Sequence, residues 1–488
     1  MHPSASAGRG RSLEPQVELV GALILSAALG VSVYAALTLR GLFADGALNL
    51  FKILETGTFF ADWDPPRWTT HVLQQFAAVL ALRSGIDDPE PLGVLLGLGM
   101  YIVPLVFLAG CYVLPPRGAR SFFLLPLFHY LAGSQSAGFA GIAEAPMASA
   151  YFWFLLFLIL FRSDGPIGRA ATVLLAIPAA WLHEAFALLG PLLTLAALLH
   201  LRQADSRSAV DRLFFGALAV WFVAVALYDL YVVYTRSDGA RESFLLATLA
   251  LGFLLDPDLK EWTLRINVPA LLGLLAGGAI AVVWYGGDGG ARKQRRVWAT
   301  IAAFGLTAII LVVGALWHGT LLAIHAQFDA RSWGAVISLP LGVLCLGSLL
   351  RPGWRAVWER RSTVALLGIL AAAQLGWQTI ATGFWVRYVR DFRAVLASHE
   401  GVINWADAVS SLPPDEQWLL VRMSWGWTNP IMSFVLSPRG RVTSVIVSAD
   451  DNGDREFTDP SNLPGGPRFD TTQYRAALLR QRSGATER

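Results

Sequence analysis

Apolar stretches of membrane-spanning length recur along this chain, and that recurrence limits its fold more than any other feature. An α-helix needs about 20 mostly apolar residues to cross the hydrocarbon core of a bilayer. Such stretches fall near residues 17–39, 92–114, 121–134, 147–161, 170–182, 185–201, 213–234, 266–285, 297–317, 333–350 and 363–385. They predict about eleven spans, the third, fifth and sixth of them short. Composition agrees: of 488 residues, 55% are hydrophobic and 15% charged, where a soluble domain carries about a quarter charged. The expected fold class is an all-α polytopic membrane protein.

Arginine sets the sidedness. Cytoplasmic loops retain Lys and Arg, and with the amino terminus inside, the inner loops hold Arg117/Arg120, Arg162/Arg169, Arg202/Arg207/Arg212, Arg292–Arg296 and Arg351–Arg361. The outer loop at 135–146 has neither Lys nor Arg. Residues 1–16 are then a cytoplasmic tail, 17–385 the bundle, and 386–488 an extracytoplasmic domain. The first apolar run exceeds the roughly 7–15 residues of a cleavable signal peptide, so it reads as a signal-anchor. Residues 170–201 lie between two arginine-bearing flanks and are interrupted at His183-Glu184, which predicts a hairpin turning there. A charged pair at such a tip is tolerable at water or in a protein-lined cavity.

The first outer loop, 40–91, is long and contains an amphipathic pattern over His71–Arg83. Val72, Phe76, Val79, Leu80 and Leu82 recur opposite Gln74, Gln75 and Arg83, as in a helix lying in the membrane interface. A second such pattern covers Phe244–Leu255. In the tail, helices are expected near Arg387–Ala397 and Asn404–Leu412, and strands near Trp418–Arg422 and Arg441–Ser448. They would make a small C-terminal α+β domain that leans on the outer loops for part of its core. No internal repeat is evident, which weighs against an inverted-repeat transporter.

Other classes are weakly supported. The net charge is only +3, and no basic stripe with interleaved aromatics points to nucleic acid. Cys111 and Cys345 lie in apolar runs and read as small hydrophobes. Eighteen tryptophans, several at the ends of apolar runs, fit interfacial anchors.

Titratable residues gather on one side. His71, His129, His183, His318, His325 and His399 fall at or near the outer face, with Asp45, Asp62, Asp64, Glu144, Glu184 and Asp229. Groups of this kind at one mouth of a bundle mark a candidate site. Asp45, in Asp45-Gly46, is either a turn residue or a general base at the membrane surface. Glu144 is either a favourable acid at a helix amino terminus or a substrate ligand. His183-Glu184 is a solvated tip or a site pair. Asp229 is hydrogen-bonded to a nearby tyrosine or faces a cavity. Arg67 and Arg241 are among the outer cations available to a lipid phosphate, or snorkel singly. His318 and His325, seven apart, share a helix face but lack a third ligand, a weak metal signal. Trp425-Gly426-Trp427 packs a small core or presents ring faces to a sugar.

This arrangement resembles the GT-C superfamily of membrane glycosyltransferases. The resemblance is carried by Asp45-Gly46 at the end of the first helix, by Pro65-Pro66-Arg67-Trp68, by the His71–Arg83 helix and by the outer terminal domain. It implies a sugar transferred with inversion from a polyprenyl-phosphate donor to a glycan or lipid acceptor on the outer side of the membrane. Asp45 would be the base, with His183 or an outer arginine meeting the departing phosphate. Glu184 and Glu144 would bind hydroxyls, and Asp229, Arg67, Arg241 and His318 are further candidate contacts. Many members carry paired acids where this chain has Asp45-Gly46, so no cofactor is certain and a divalent cation stays open. A transporter or flippase and a non-enzymatic envelope-assembly scaffold are the alternatives. The Ala/Gly/Arg-rich, Lys-poor composition associates the chain with a GC-rich bacterium, its inner membrane and a periplasmic outer face.

Overall fold

The computed structural model describes residues 14–60, 67–135, 144–202, 208–236, 332–448, 455–463 and 468–486. All of them belong to one compact unit, and the second unit, Ser237–Ala326, lies outside them. The spans expected at 266–285 and 297–317 and the helix at Phe244–Leu255 therefore fall outside the described residues, as do Arg241, His318 and His325.

The unit is mostly helical. In chain order its α-helices are α1 (Glu14–Leu37), α2 (Asp45–Thr56), α3 (Trp68–Arg83), α4 (Pro89–Val113), α5 (Leu124–His129), α6 (Glu144–Arg162), α7 (Pro166–Ala176), α8 (Phe186–Arg202), α9 (Ala209–Arg236), α10 (Ser332–Leu350), α11 (Pro352–Trp358) and α12 (Arg361–Ser398). The tail adds α13 (Trp405–Ser410), α14 (Pro414–Met423), α15 (Asn429–Val435), α16 (Arg455–Thr458) and α17 (Thr472–Thr486). Among the described residues, α1, α4, α6, α9 and α12 are long and apolar enough to cross a membrane. On α1 the buried residues Val17, Gly21, Ile24 and Ala28 face the bundle, whereas Leu19, Leu23 and Leu37 lie exposed. α1 and α4 meet where Gly97 has no side chain: a Cβ there would lie 3.1 Å from the Ala36 Cα. Small residues of this kind let membrane helices approach closely.

Local chemistry accounts for some helix ends. Asp88 caps α4 by accepting from the Glu90 amide, and Pro89 follows at the first helical position, where no donor is lost. α2 begins on an acid and ends on Gly57, whose φ of 74° supplies the left-handed residue that closes a helix.

Several expectations change form. The stretch at 121–134 is helical but irregular: a 3₁₀ segment over Arg117–Phe123 leads into α5 and then a π-helical turn over Tyr130–Ser134, nearly all buried. The hairpin at 170–201 is present, with α7 running into a 3₁₀ turn (Ile177–Trp181) and α8 returning after His183-Glu184. No break occurs at 386. The last span and the first tail helix are one 38-residue helix, α12, because nothing from Phe384 to Ala397 caps or breaks it. Trp418–Arg422, expected as a strand, lies inside α14; Pro414 at the first turn with Asp415 and Glu416 beside it favours a helix start. The expected strand near 441–448 is β2 (Ser444–Val447), and it pairs in parallel with β1 (Gly401–Asn404).

The amphipathic helix at 71–83 exists as α3, but its polar face points inward. Thr70, His71, Gln74 and Gln75 are buried, whereas Phe76 and Leu80 are more than half exposed. Its polar atoms find partners in the protein: Thr69 and Thr70 donate to the carbonyls of Pro178 and Leu182 on the hairpin, at 3.1 and 2.6 Å. The tail does lean on the segment 40–91. Phe51 of α2 packs against Phe469, Phe434 and Phe457, ring centroids 5.3, 5.6 and 6.0 Å away, and Arg468 donates to the Leu54 carbonyl.

Candidate site beneath the first outer loop

Four helix ends converge near the hairpin tip. Arg67 immediately precedes α3, Glu144 opens α6, His183-Glu184 precedes α8, and Asp45 opens α2. Arg67 is the centre. Its Nε donates to both Glu184 oxygens, at 2.9 and 3.1 Å, and its Nη2 to Glu184 Oε1. On the other side Nη1 lies 3.6 Å from Glu144 Oε1. A guanidinium fork suits two carboxylates in this way.

The electrostatics follow from burial and this pairing. Burial alone would disfavour the charged guanidinium, but Glu144, Glu184 and Asp45 together hold the Arg67 pKa above its ordinary value. Burial likewise opposes ionisation of Glu184; His183 and Arg67 overcome it and bring the carboxyl down to about 2. Of these two, Arg67 is the permanent charge. The His183 Nδ1 accepts from the Ala185 amide at 2.9 Å, so its 3.6 Å approach to Glu184 is electrostatic rather than a hydrogen bond.

His71, one turn beyond Arg67 on α3, completes the group. Its Nε2 lies 3.9 Å from Glu144 Oε1 and makes no hydrogen bond. Burial lowers its pKa, opposed by Glu144. Three carboxylates (Asp45, Glu144 and Glu184) thus act on one guanidinium.

Asp45, Arg67, Glu144, His183 and Glu184, all singled out from the sequence, are brought together. Asp229 is fully buried on α9 within the field of Glu184, and neither of its oxygens has a hydrogen-bond partner. The tyrosine hydrogen bond offered as its structural account is not made. His71 was weighed only as one of several outer histidines. Its signal was the four-residue spacing from Arg67, which puts both on one helix face.

Gly46 explains why no second acid follows Asp45. A Cβ at 46 would sit 1.8 Å from the Gly41 carbonyl oxygen, and one at 41 would sit 2.8 Å from the Gly97 Cα. Leu39 and Ala44, both at positive φ (61° and 51°), turn the chain tightly between α1 and α2. Close backbone approach selects glycine at 46. Among the described residues, the space between Glu144 and Glu184 is filled by Arg67, and no group of three metal-ligating side chains occurs. Trp425 lies near the same knuckle, 6.2 Å from Phe43 and 6.1 Å from Trp427 between ring centroids.

Compared with known proteins, the chain matches no family model, no curated protein and no solved structure.

Proposed function

We propose that this protein is a polytopic, inner-membrane glycosyltransferase of about eleven spans that moves a sugar from a polyprenyl-phosphate donor to a glycan or lipid acceptor on the periplasmic side. One observation carries the reading: Asp45, Glu144, His183 and Glu184, from three separate segments of the sequence and picked out as candidates for that chemistry, gather around Arg67, a fifth candidate. A charged cluster at the ends of apolar helices is costly unless it serves a function.

In this mechanism Asp45, which is half-buried at the start of α2, takes the proton from the acceptor hydroxyl. The acceptor oxygen bonds to the anomeric carbon from the face opposite the phosphate. The bond from carbon to phosphate oxygen breaks, its electron pair leaves with the lipid phosphate, and configuration inverts. Arg67 keeps Glu144 and Glu184 ionised and in place, as acceptors for sugar hydroxyls. His183 is the group of the cluster able to meet the leaving phosphate, because Arg67 is engaged with carboxylates.

A lipid-linked sugar turnover assay in membranes tests this, with wild type, Asp45→Asn and Glu184→Gln at matched expression. Removal of a general base lowers turnover by about 10²–10⁴-fold. Equal turnover in all three would remove the assignment. A transporter is the second reading, favoured by the buried, unpartnered Asp229 on α9; dependence of function on an ion gradient, lost in Asp229→Asn, would support it instead.

A further inference from the structure

We infer that His71 and Glu144 form a hydroxyl-binding subsite for a neutral sugar ring, and that lipid phosphate binds elsewhere. The naming of the ligand as a sugar rests on the transferase reading; the subsite itself rests on hydrogen-bond accounting around His71.

The tautomer of His71 follows from its neighbour. The Gln75 amide is held on the Phe60 backbone, accepting from its N–H at 2.8 Å and donating to its carbonyl at 3.0 Å. That orientation leaves the second N–H of Gln75 facing the His71 Nδ1 at 3.4 Å. The Nδ1 is then an acceptor, and the ring proton of the neutral imidazole sits on Nε2. This N–H is buried, has no hydrogen-bond partner, and lies 3.9 Å from Glu144 Oε1. The His71 side chain is only 3% exposed. Orphaned buried donors are rare in proteins and mark places where something else is bound.

The gap has a specific size. At 3.9 Å the two groups are too far apart for a direct hydrogen bond. A hydroxyl oxygen about 2.8–3.0 Å from each would accept from His71 Nε2–H and donate to Glu144. Gln74, three residues further along the same face of α3, has a buried Oε1 that also lacks a partner and can take a second hydroxyl proton. One donor and one acceptor on α3, with a second acceptor on α6, suit adjacent hydroxyls of a ring.

Charge excludes an anion from the same place. The Glu144 carboxylate itself borders the gap, and Arg67, the cation beside it, is already bonded to Glu184. A phosphate beside Glu144 would meet like charge in a buried setting, where repulsion is poorly screened.

The test uses full-length protein in nanodiscs and two probes: octyl glycosides of glucose, galactose and mannose, and polyprenyl phosphate without sugar. Wild type should bind at least one glycoside. His71→Phe should weaken that binding about tenfold, while His71→Gln, which keeps an N–H donor near the Nε2 position, should retain most of it. Polyprenyl phosphate should bind all three proteins alike, and the glycoside response of His71→Gln serves as the check that the fold survives. The inference fails if wild type binds no glycoside, if His71→Phe binds as wild type does, or if both probes weaken together. Glycoside binding through His71 without any lipid-linked sugar turnover would keep the subsite and remove the transferase reading. Turnover with glycoside binding indifferent to His71 would do the reverse.

Discussion

Arg40 is buried and Arg67 half-buried in one helical unit, and their partners among the described residues differ in kind. Arg40, 2% exposed at the end of α1, donates to the Tyr101 hydroxyl, to the Gln378 carbonyl and side-chain oxygen, and to the Thr382 hydroxyl, at 2.7–3.2 Å. It also stacks over the Tyr101 ring. Those neutral oxygens on α4 and α12 make it a brace between three helices. Arg67 instead faces carboxylates on two sides and feels a third. A buried cation braced by dipoles stabilises a fold. A half-buried cation set among acids builds an electrostatic field that a substrate can use.

The largest expected effect breaks the second arrangement. Arg67→Met leaves Glu144 and Glu184 buried without their cation, and loss of one partner from a buried ion pair costs about 3–5 kcal/mol. Thermal unfolding in detergent should show it, and adding Glu184→Gln should recover a substantial part. No recovery would mean that Arg67 acts through packing rather than charge.

Gly46 links the two regions, and its replacement comes next. Gly46→Ala pushes a Cβ into the Gly41 carbonyl, where the obstacle is backbone that cannot swing aside. A loss of about 1–3 kcal/mol or more is expected. Gly46→Asp, which would place a second acid beside Asp45, should fare no better. Normal stability in either would refute the close approach of Gly41 and Gly46.

Arg40→Met should cost less per group than Arg67→Met, about 1–3 kcal/mol, because the acceptors it strands among the described residues are neutral. Turnover per folded molecule should hold. A fall in turnover without a fall in melting temperature would place Arg40 in the site and dissolve the contrast.

The smallest effect is a pH slope confined to the Arg67 region. Burial keeps His71 neutral in the folded protein, while its unfolded counterpart takes up a proton below about pH 6.5. The unfolded chain then binds more protons, so stability is full above that value and declines as pH falls below it. Glu144, Arg67 and Glu184 face the ring and set its size. His71→Gln should flatten the slope of melting temperature against pH below 6.5, and Arg40→Met should leave it in place.

Sequence legibility followed the range of the forces involved. Apolar runs of spanning length and local caps announce helices, so α1, α4, α6, α9 and the 170–201 hairpin were readable from residue pattern alone. The hairpin tip was readable because a charged pair in an apolar stretch must find water or a partner. Where two local signals competed, the reading failed: Trp418–Arg422 has a β-rich look, but the proline and acids just before it start a helix.

The sequence alone determined which segments are apolar helices and which polar residues are too costly to be idle, because hydropathy and charge are properties of residues and their near neighbours. Tertiary structure decided the rest. It turned the polar face of α3 inward, because the Pro178 and Leu182 carbonyls of a hairpin a hundred residues away accept its hydroxyls. It set Arg67 between Glu144 and Glu184, and it put glycine beside Asp45 because a backbone carbonyl already occupies the space. Such pairings depend on distances between segments remote in the chain, and no local pattern encodes them.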